Sequence, residues 1–378
     1  MNIVFLTNFL THHQTPFCDA MYSQLQDEFH LIVMRPTDPE QKNLGYKNLN
    51  NLYPFVVKAY EGTQEEAFAM SLCEHADVVI LGSAPQKYIQ KRLKQNKVTL
   101  IYTERIFKKG IKYAFYPPVI LQMLKRFTFN RQKKQYYLCA GGYVAKDINL
   151  FTHTREKFFK WGYFPETKTY ENVDLLIDQK EKNSIVWVAR YIDWKHPEIP
   201  LEIGKRLLRD GYDFKINMIG NGVMLEKIAL SVQEQGLGEN VNILGAIESD
   251  KVREHMEKAE IHLFTSDRQE GWGAVLNESM NSACAVVANK EIGAVPFLLQ
   301  NGSNGFVCET TDELYEKIKF LLDNPQERKK LSRAAYRTIS EEWNESVATQ
   351  RLLALCSALL DEKKVKYAQG PCSNSFVN

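Results

Sequence analysis

Short apolar runs alternate with helix-periodic stretches along almost the whole sequence, and that alternation leaves few folds open. Residues 2–7 form an apolar run, and a helical stretch over 15–26 follows, with Pro16 placed where a helix can begin. Residues 30–34, 77–81 and 99–102 read as further strands. The last two are separated by a helical stretch over 86–95, and a strand over 136–140 closes on Gly141-Gly142. The second half repeats the pattern, with strands over 184–189, 215–219, 241–244, 261–264 and 285–288. Helices over 197–209, 224–235, 251–258 and 274–282 lie between them. Strands separated by helices of this length cannot pair as hairpins and require parallel sheets of βαβ units.

At 378 residues the chain is too long for one hydrophobic core and fits two such sheets. A polar, weakly patterned stretch over 165–183 reads as the linker. This predicts a first domain over 1–165, a second over 166–343, and a C-terminal segment over 344–378. That segment opens with an amphipathic helix over 344–364, expected to cross back to the first domain, and ends in a polar, loose tail from 370. Two open α/β sheets in tandem present the carboxyl ends of their strands to a cleft, where ligands of such sheets bind.

Charge and cysteine usage narrow the function class. Net charge is +2, yet residues 1–170 carry 23 Lys/Arg against 14 Asp/Glu, so the remainder holds 25 against 32. The seven cysteines are scattered singly with no Cys-x-x-Cys, which predicts reduced thiols in a cytoplasmic compartment and no zinc; the histidines offer no metal spacing either. No metal or other cofactor is expected. No apolar run is long enough for a membrane span, and the N-terminus reads as a first strand, not a signal peptide.

The residues that suggest chemistry fall at strand-to-helix turns of the second half. Arg190 and Lys195 lie just beyond one strand, Gly220-Asn221-Gly222 beyond the next, and Gly245 beyond the third. Glu270-Gly271-Trp272-Gly273 then runs into a helix carrying Glu278. Glycines before a helix N-terminus make an anion site, two cations can neutralise a diphosphate, and a carboxylate can accept hydrogen bonds from a ribose diol. Each element has an ordinary explanation alone: with 46 acids in the chain, about five pairs of acids eight apart arise by chance. Taken alone, Arg190 and Lys195 read as solvated or as members of a surface ion pair. Their order and common placement carry the argument.

That order resembles the family-4 retaining glycosyltransferases of GT-B fold. The resemblance runs over roughly 184–343 through V-A-R-Y-I-D-W-K, I-G-N-G, L-G and E-G-W-G-A-V-L-N-E-S-M, then A-V-V-A, G-A-V-P and N-G-S-N-G-F-V. It implies two Rossmann-like domains and transfer of a sugar from a nucleotide-sugar, a UDP-sugar, to a glycan acceptor. Arg190 and Lys195 would hold the diphosphate, Glu278 the ribose and Glu270 the transferred sugar. Backbone of Gly271, Trp272 and Gly273 would lie near phosphate or sugar, Gly220 and Gly222 would shape the turn, and backbone around Gly245–Ile247 would hold the base. Two departures stand out: Asn8-Phe9-Leu10-Thr11-His12-His13 replaces a small glycine turn, and Ser282-Ala283-Cys284-Ala285-Val286 replaces a small-x-Gly-x-Pro pattern.

On the acceptor side, His13 in the first strand-to-helix loop and Glu104 at a strand end are candidates to orient a hydroxyl. A loop histidine and a capping or salt-bridged glutamate beside Arg105 are the plain alternatives. Residues 105–146 contain ten Lys/Arg, no acid, and nine interleaved aromatics: Phe107, Tyr113, Phe115, Tyr116, Phe127, Phe129, Tyr136, Tyr137 and Tyr143. The reading preferred here is contact with an anionic membrane surface, which would bring a lipid-linked acceptor of cell-envelope or exopolysaccharide synthesis to the enzyme on the inner face of the membrane. A core helix with solvated lysines is the alternative. Nucleic acid is not expected, because no nucleic-acid motif accompanies the stretch. A soluble acceptor, or a protein that binds a nucleotide-sugar without catalysis, would fit part of the same pattern.

Overall fold

The computed structural model describes residues 1–36, 48–112, 116–364 and 366–376. It divides into two compact units, one formed by Met1–Glu166 with Asn344–Asn378 and the other by Thr167–Trp343.

The first unit is built on a seven-stranded sheet. Its strands are β1 (Ile3–Thr7), β2 (Phe29–Val33), β3 (Val56–Lys58), β4 (Val78–Leu81), β5 (Thr99–Thr103), β6 (Gln135–Ala140) and β7 (Phe158–Trp161), in the order β3-β2-β1-β4-β5-β6-β7. All six strand pairings are parallel. Every residue of β1 and β4 is buried, as expected for central strands covered on both faces, which explains their unbroken apolar sequence. The crossovers include α1 (Thr15–Leu25), α2 (Thr63–His75), α3 (Lys87–Lys94), α4 (Pro117–Arg126) and α5 (Val144–Thr152). One face of the sheet packs Val4, Leu6, Val79, Leu81 and Ile101 into a core with Ala69, Cys73, Ile89, Met123 and Ile148. Inside it lies Arg92 of α3, fully buried, donating to the carbonyls of Cys73, Ala76, Asp77 and Val98.

The C-terminal helix, Glu345–Leu360, belongs to this first unit and packs on α1; the Asn344 side chain caps it by accepting from Val347 N. The chain beyond it departs from the loose tail expected. Cys372 N donates to Lys160 O, Lys160 N to Ser373 O and Ser375 N to Phe158 O, at 2.8–3.0 Å. An antiparallel bridge pairs Phe159 with Asn374, and Phe376 sits edge-on to Phe158 at 5.5 Å. The tail therefore lies along the outer edge of β7, giving partners to its unpaired backbone groups.

The second unit carries a six-stranded sheet of β8 (Glu181–Val188), β9 (Lys215–Ile219), β10 (Val241–Gly245), β11 (Ala259–Phe264), β12 (Ala285–Asn289) and β13 (Phe306–Cys308). Its order is β10-β9-β8-β11-β12-β13, again all parallel. This is the doubly wound Rossmann order, whose direction of travel reverses between β8 and β11. The stretch expected as a linker holds a short helix, α6 (Val173–Asp178). The Asn172 side chain caps it by accepting from Asp174 N and Leu175 N, and β8 begins three residues earlier than its apolar run suggests. The helices α7 (Ile199–Arg209), α8 (Leu225–Glu234), α9 (Ser249–Lys258), α10 (Val275–Asn281), α11 (Val295–Leu298), α12 (Thr311–Asp323) and α13 (Pro325–Arg337) complete the unit.

Candidate functional site

The reversal point of the second sheet puts two turns side by side: the one leaving β8, which carries Arg190 and Lys195, and the one leaving β11, which carries Glu270. Ligands of doubly wound sheets bind at this position, so sheet order alone selects these turns.

After β8 the chain makes a single 3-10 turn over Asp193–Lys195 and then passes through His196 at φ 53°. Lys195 is buried, and its ammonium donates to the Glu270 carboxylate, which is equally buried and also accepts from Ser266 Oγ at 3.2 Å. The Lys195 ammonium lies 4.3 Å from the Trp194 ring centroid, and the Arg190 guanidinium sits 5.7 Å from the same ring. The two cations thus flank one indole yet differ in setting: Arg190 is exposed, whereas Lys195 is enclosed and ion-paired.

Backbone and hydroxyl contacts stitch the two turns together. Thr265 Oγ1 donates to Lys195 O at 2.6 Å and accepts from Trp187 Nε1 at 2.8 Å, while Asp267 N donates to Trp194 O at 3.0 Å. These holding residues carry no pattern of their own in the sequence; only the adjacency of Thr265 and Ser266 to the end of β11 could have marked them.

The glycines are placed by contact. A Cβ on Gly220 would collide with the Ala189 carbonyl, and one on Gly222 with the Tyr191 carbonyl, so the turn after β9 closes against the turn after β8. Tyr191 N donates to Asn221 O at 2.9 Å across that contact. Gly245, at φ 69°, differs: its amide neighbours are Gly220, whose N–H its carbonyl accepts at 2.8 Å, and a Cβ there would meet nothing within 4 Å. In the turn before α10, Gly273 at φ 93° packs against the Phe264 ring, and Gly293 N donates to Glu270 O at 3.1 Å.

The Trp272 side chain is structural, which leaves its backbone for the role the resemblance implies. The ring is buried, donates from Nε1 to Asn277 Oδ1 at 2.9 Å, and packs with Phe297 and Trp343. Only its backbone can face a ligand. Glu278 lies half-buried on α10, which spans seven residues, two fewer than its sequence pattern suggests.

In the first unit, His13 follows β1 at the corresponding reversal point, between β1 and β4. Burial pushes its imidazole down to about 4. Glu104 follows β5, and its partners are Lys108, four residues on, and Tyr163, whose hydroxyl donates to it at 3.1 Å. Glu104 is thus salt-bridged, to Lys108, and the guanidinium of its neighbour Arg105 lies 4.4 Å from the Tyr143 ring centroid. The basic aromatic stretch divides: Phe107, Phe127 and Tyr137 are core residues, while Ile111, Tyr116, Leu121 and Phe129 are each more than half exposed. Helix α4 packs Met123 and Val119 against the core and leaves Leu121 and Lys125 exposed, so it is half core helix and half open surface. Tyr113 and Phe115 lie outside the described residues. Among the described residues all seven cysteines are buried free thiols, and no helix is long and apolar enough to cross a membrane.

Residues 173–338 match the family model of glycosyl transferases group 1. The N-acetyl-alpha-D-glucosaminyl L-malate synthase of Bacillus anthracis is 24% identical over 208 residues, covering 54% of this chain and 53% of that protein. The N-acetylgalactosamine-N,N'-diacetylbacillosaminyl-diphospho-undecaprenol 4-alpha-N-acetylgalactosaminyltransferase of Campylobacter jejuni is 29% identical over 119 residues, 31% of this chain and 32% of that protein. The chain thus spans about half or less of the length of these relatives. Among solved structures, Anabaena HepE in complex with UDP aligns at a TM-score of 0.72 and 15% identity over 95% of this chain and all of that one, a likeness of fold. With two doubly wound parallel sheets and a second unit that matches the glycosyl transferases group 1 model over 173–338, the chain has the GT-B fold.

Proposed function

We propose that this chain transfers a sugar from a UDP-sugar to a glycan acceptor with retention at the anomeric carbon and without a metal. The observation that carries this reading is the buried Lys195–Glu270 pair, with Arg190 beside it at the sheet's reversal point. Arg190 and Lys195 bind the donor diphosphate and stabilise the charge that develops as the sugar leaves, which is the work a metal would otherwise do. Glu270 accepts from hydroxyls of the transferred sugar, Glu278 from the ribose, and the Gly271–Gly273 backbone lies near the phosphates. The open space around Gly245 leaves room for the base. Retention draws support from the relatives' names, both of which specify alpha-linked sugars; UDP-sugars are commonly alpha-linked at the start. The leaving phosphate oxygen takes the acceptor proton, and His13 and Glu104 orient that acceptor.

The acceptor is a lipid-linked glycan of cell-envelope or exopolysaccharide synthesis, met at the cytoplasmic face of the membrane. The Campylobacter relative's name specifies a diphospho-undecaprenol acceptor. The exposed Ile111, Tyr116, Leu121 and Phe129, with exposed Lys109, Lys125 and Arg131 among them, form the mixed apolar and basic surface that anionic lipid attracts. A soluble acceptor is the second reading, favoured by the malate in the other relative's name. Pelleting with anionic and neutral vesicles separates the two, since a soluble acceptor needs no lipid dependence.

The test of the donor reading is thermal shift against UDP-, GDP-, ADP-, dTDP- and CMP-sugars, with and without EDTA. A ligand at about 100 times its Kd stabilises by about 2.7 kcal/mol. Selective stabilisation by the UDP series, unchanged by EDTA and lost in Glu278→Ala, is expected. No shift with any nucleotide overturns the reading, and the anomeric configuration of the product by NMR tests retention.

A further inference from the structure

His196 follows Lys195 directly and is not needed by the reading above, yet its geometry is specific. Its backbone stands at φ 53°, a left-handed conformation glycine adopts freely and histidine only sometimes. Its side chain reaches two carboxylates on different elements. Nδ1 lies 3.0 Å from Glu198 Oε1 at the start of α7, and Nε2 lies 3.5 Å from Asp267 Oδ2 on the turn leaving β11. Asp267 itself donates from its amide to Trp194 O, and its carboxylate accepts from Gln269 N at 2.8 Å. The imidazole therefore spans the two turns that carry Lys195 and Glu270.

We propose that His196 is a positioning residue whose imidazolium, bridging Glu198 and Asp267, locks the Lys195 turn to the Glu270 turn, so that the donor site is better ordered at low pH than at high pH. The groups facing it are these two carboxylates. Lys227 of α8 acts on Glu198 from a further element, and Lys195, its neighbour in the chain, is turned to Glu270. The hydrogen bond to Glu198 holds the imidazole above its usual 6.5, against the opposing effect of burial. The bridge is fully charged below about pH 6.5 and loses its charge as pH rises through that raised value. His196→Asn retains a residue tolerant of the left-handed conformation but cannot carry the charge.

The part that concerns nucleotide binding rests on the donor reading, so the test uses two readouts. Amide exchange, corrected for intrinsic pH dependence, is followed over residues 264–270 at pH 6.0 and 8.5. Protection in the wild type is expected to fall between the two pH values, and in His196→Asn and Asp267→Asn to be low at both. The Kd of UDP, measured by calorimetry on the same proteins, is expected to weaken about three- to five-fold more in the wild type than in His196→Asn over that interval, the range of a partly exposed ion pair. Equal protection in wild type and His196→Asn, or an equal pH response, overturns the proposal whether or not UDP binds. The expected protection pattern without any UDP binding leaves the bridge standing and overturns the nucleotide reading instead.

Discussion

Removing the lysine from the Lys195–Glu270 pair tests both the physics and the function of the site. Both side chains are about 10% exposed, so each has given up most of its hydration. In Lys195→Met the apolar stem is kept against Trp194 and the charge is lost. Glu270 then retains a buried carboxylate with the Ser266 hydroxyl as its remaining side-chain partner. Breaking a buried pair from one side costs about 3–5 kcal/mol, whereas replacing both members with apolar residues is often neutral. The expected loss is therefore roughly 3 kcal/mol for Lys195→Met and within about 1 kcal/mol of wild type for Lys195→Met/Glu270→Leu. At about 2–4 °C per kcal/mol, the single variant should melt roughly 6–12 °C lower. Urea unfolding followed by tryptophan fluorescence reads the right unit, since Trp187, Trp194, Trp272 and Trp343 all lie in it and only Trp161 lies elsewhere. A single variant within 1 kcal/mol of wild type, or a double variant as unstable as the single, would refute the argument that the carboxylate depends on its lysine. The double variant, folded but lacking both groups, should also show no thermal shift with UDP-sugars.

Three further outcomes follow from the geometry. His262 on β11 is fully buried, neither ring nitrogen has a hydrogen-bond partner, and burial holds its imidazole down to about 3. The folded state keeps it neutral, so its contribution is complete above pH 6.5 and is lost as pH falls toward 3, by roughly 4–5 kcal/mol in all; His262→Leu should flatten stability against pH over that window in urea titrations. Gly293→Ala would drive a methyl into the Gly271 carbonyl and should cost more than 3 kcal/mol in melting experiments, while Gly245→Ala, with open space but φ 69°, should cost about 1 kcal/mol. Deleting the chain after Gln369 bares the outer edge of β7 and should produce self-association on size exclusion, absent from the full chain.

How much of this was legible in the sequence depended on whether the signal was local. β1 and β4 announce themselves because a parallel strand buried on both faces is apolar almost throughout. Arg190, Lys195, Glu270 and the turn glycines could be picked out by their order after successive strands. The ion pair joining Lys195 to Glu270 could not, because it spans 75 residues and depends on β8 lying next to β11. The left-handed turn at His196 is set by tertiary bonds and leaves no mark on residue type. Helix α6 was hidden because its cap, Asn172, is also a common loop residue. The docking of the tail on β7 was hidden because backbone bonding needs no apolar pattern. Arg92 reads as a surface cation in a helix rich in lysine; only the four carbonyls converging on it reveal its burial.

The tail along β7 also bears on the order of events at the ribosome. Residues 167–343 form a unit that is continuous in the chain and can close as soon as it has emerged. The first unit, begun earlier, lacks its C-terminal helix and the segment that covers its β7 edge until residues 344–376 are made. Synthesis therefore starts one unit, completes another, and returns to finish the first. During that interval the β7 edge is bare, and a nascent chain stalled before residue 370 would carry it unprotected.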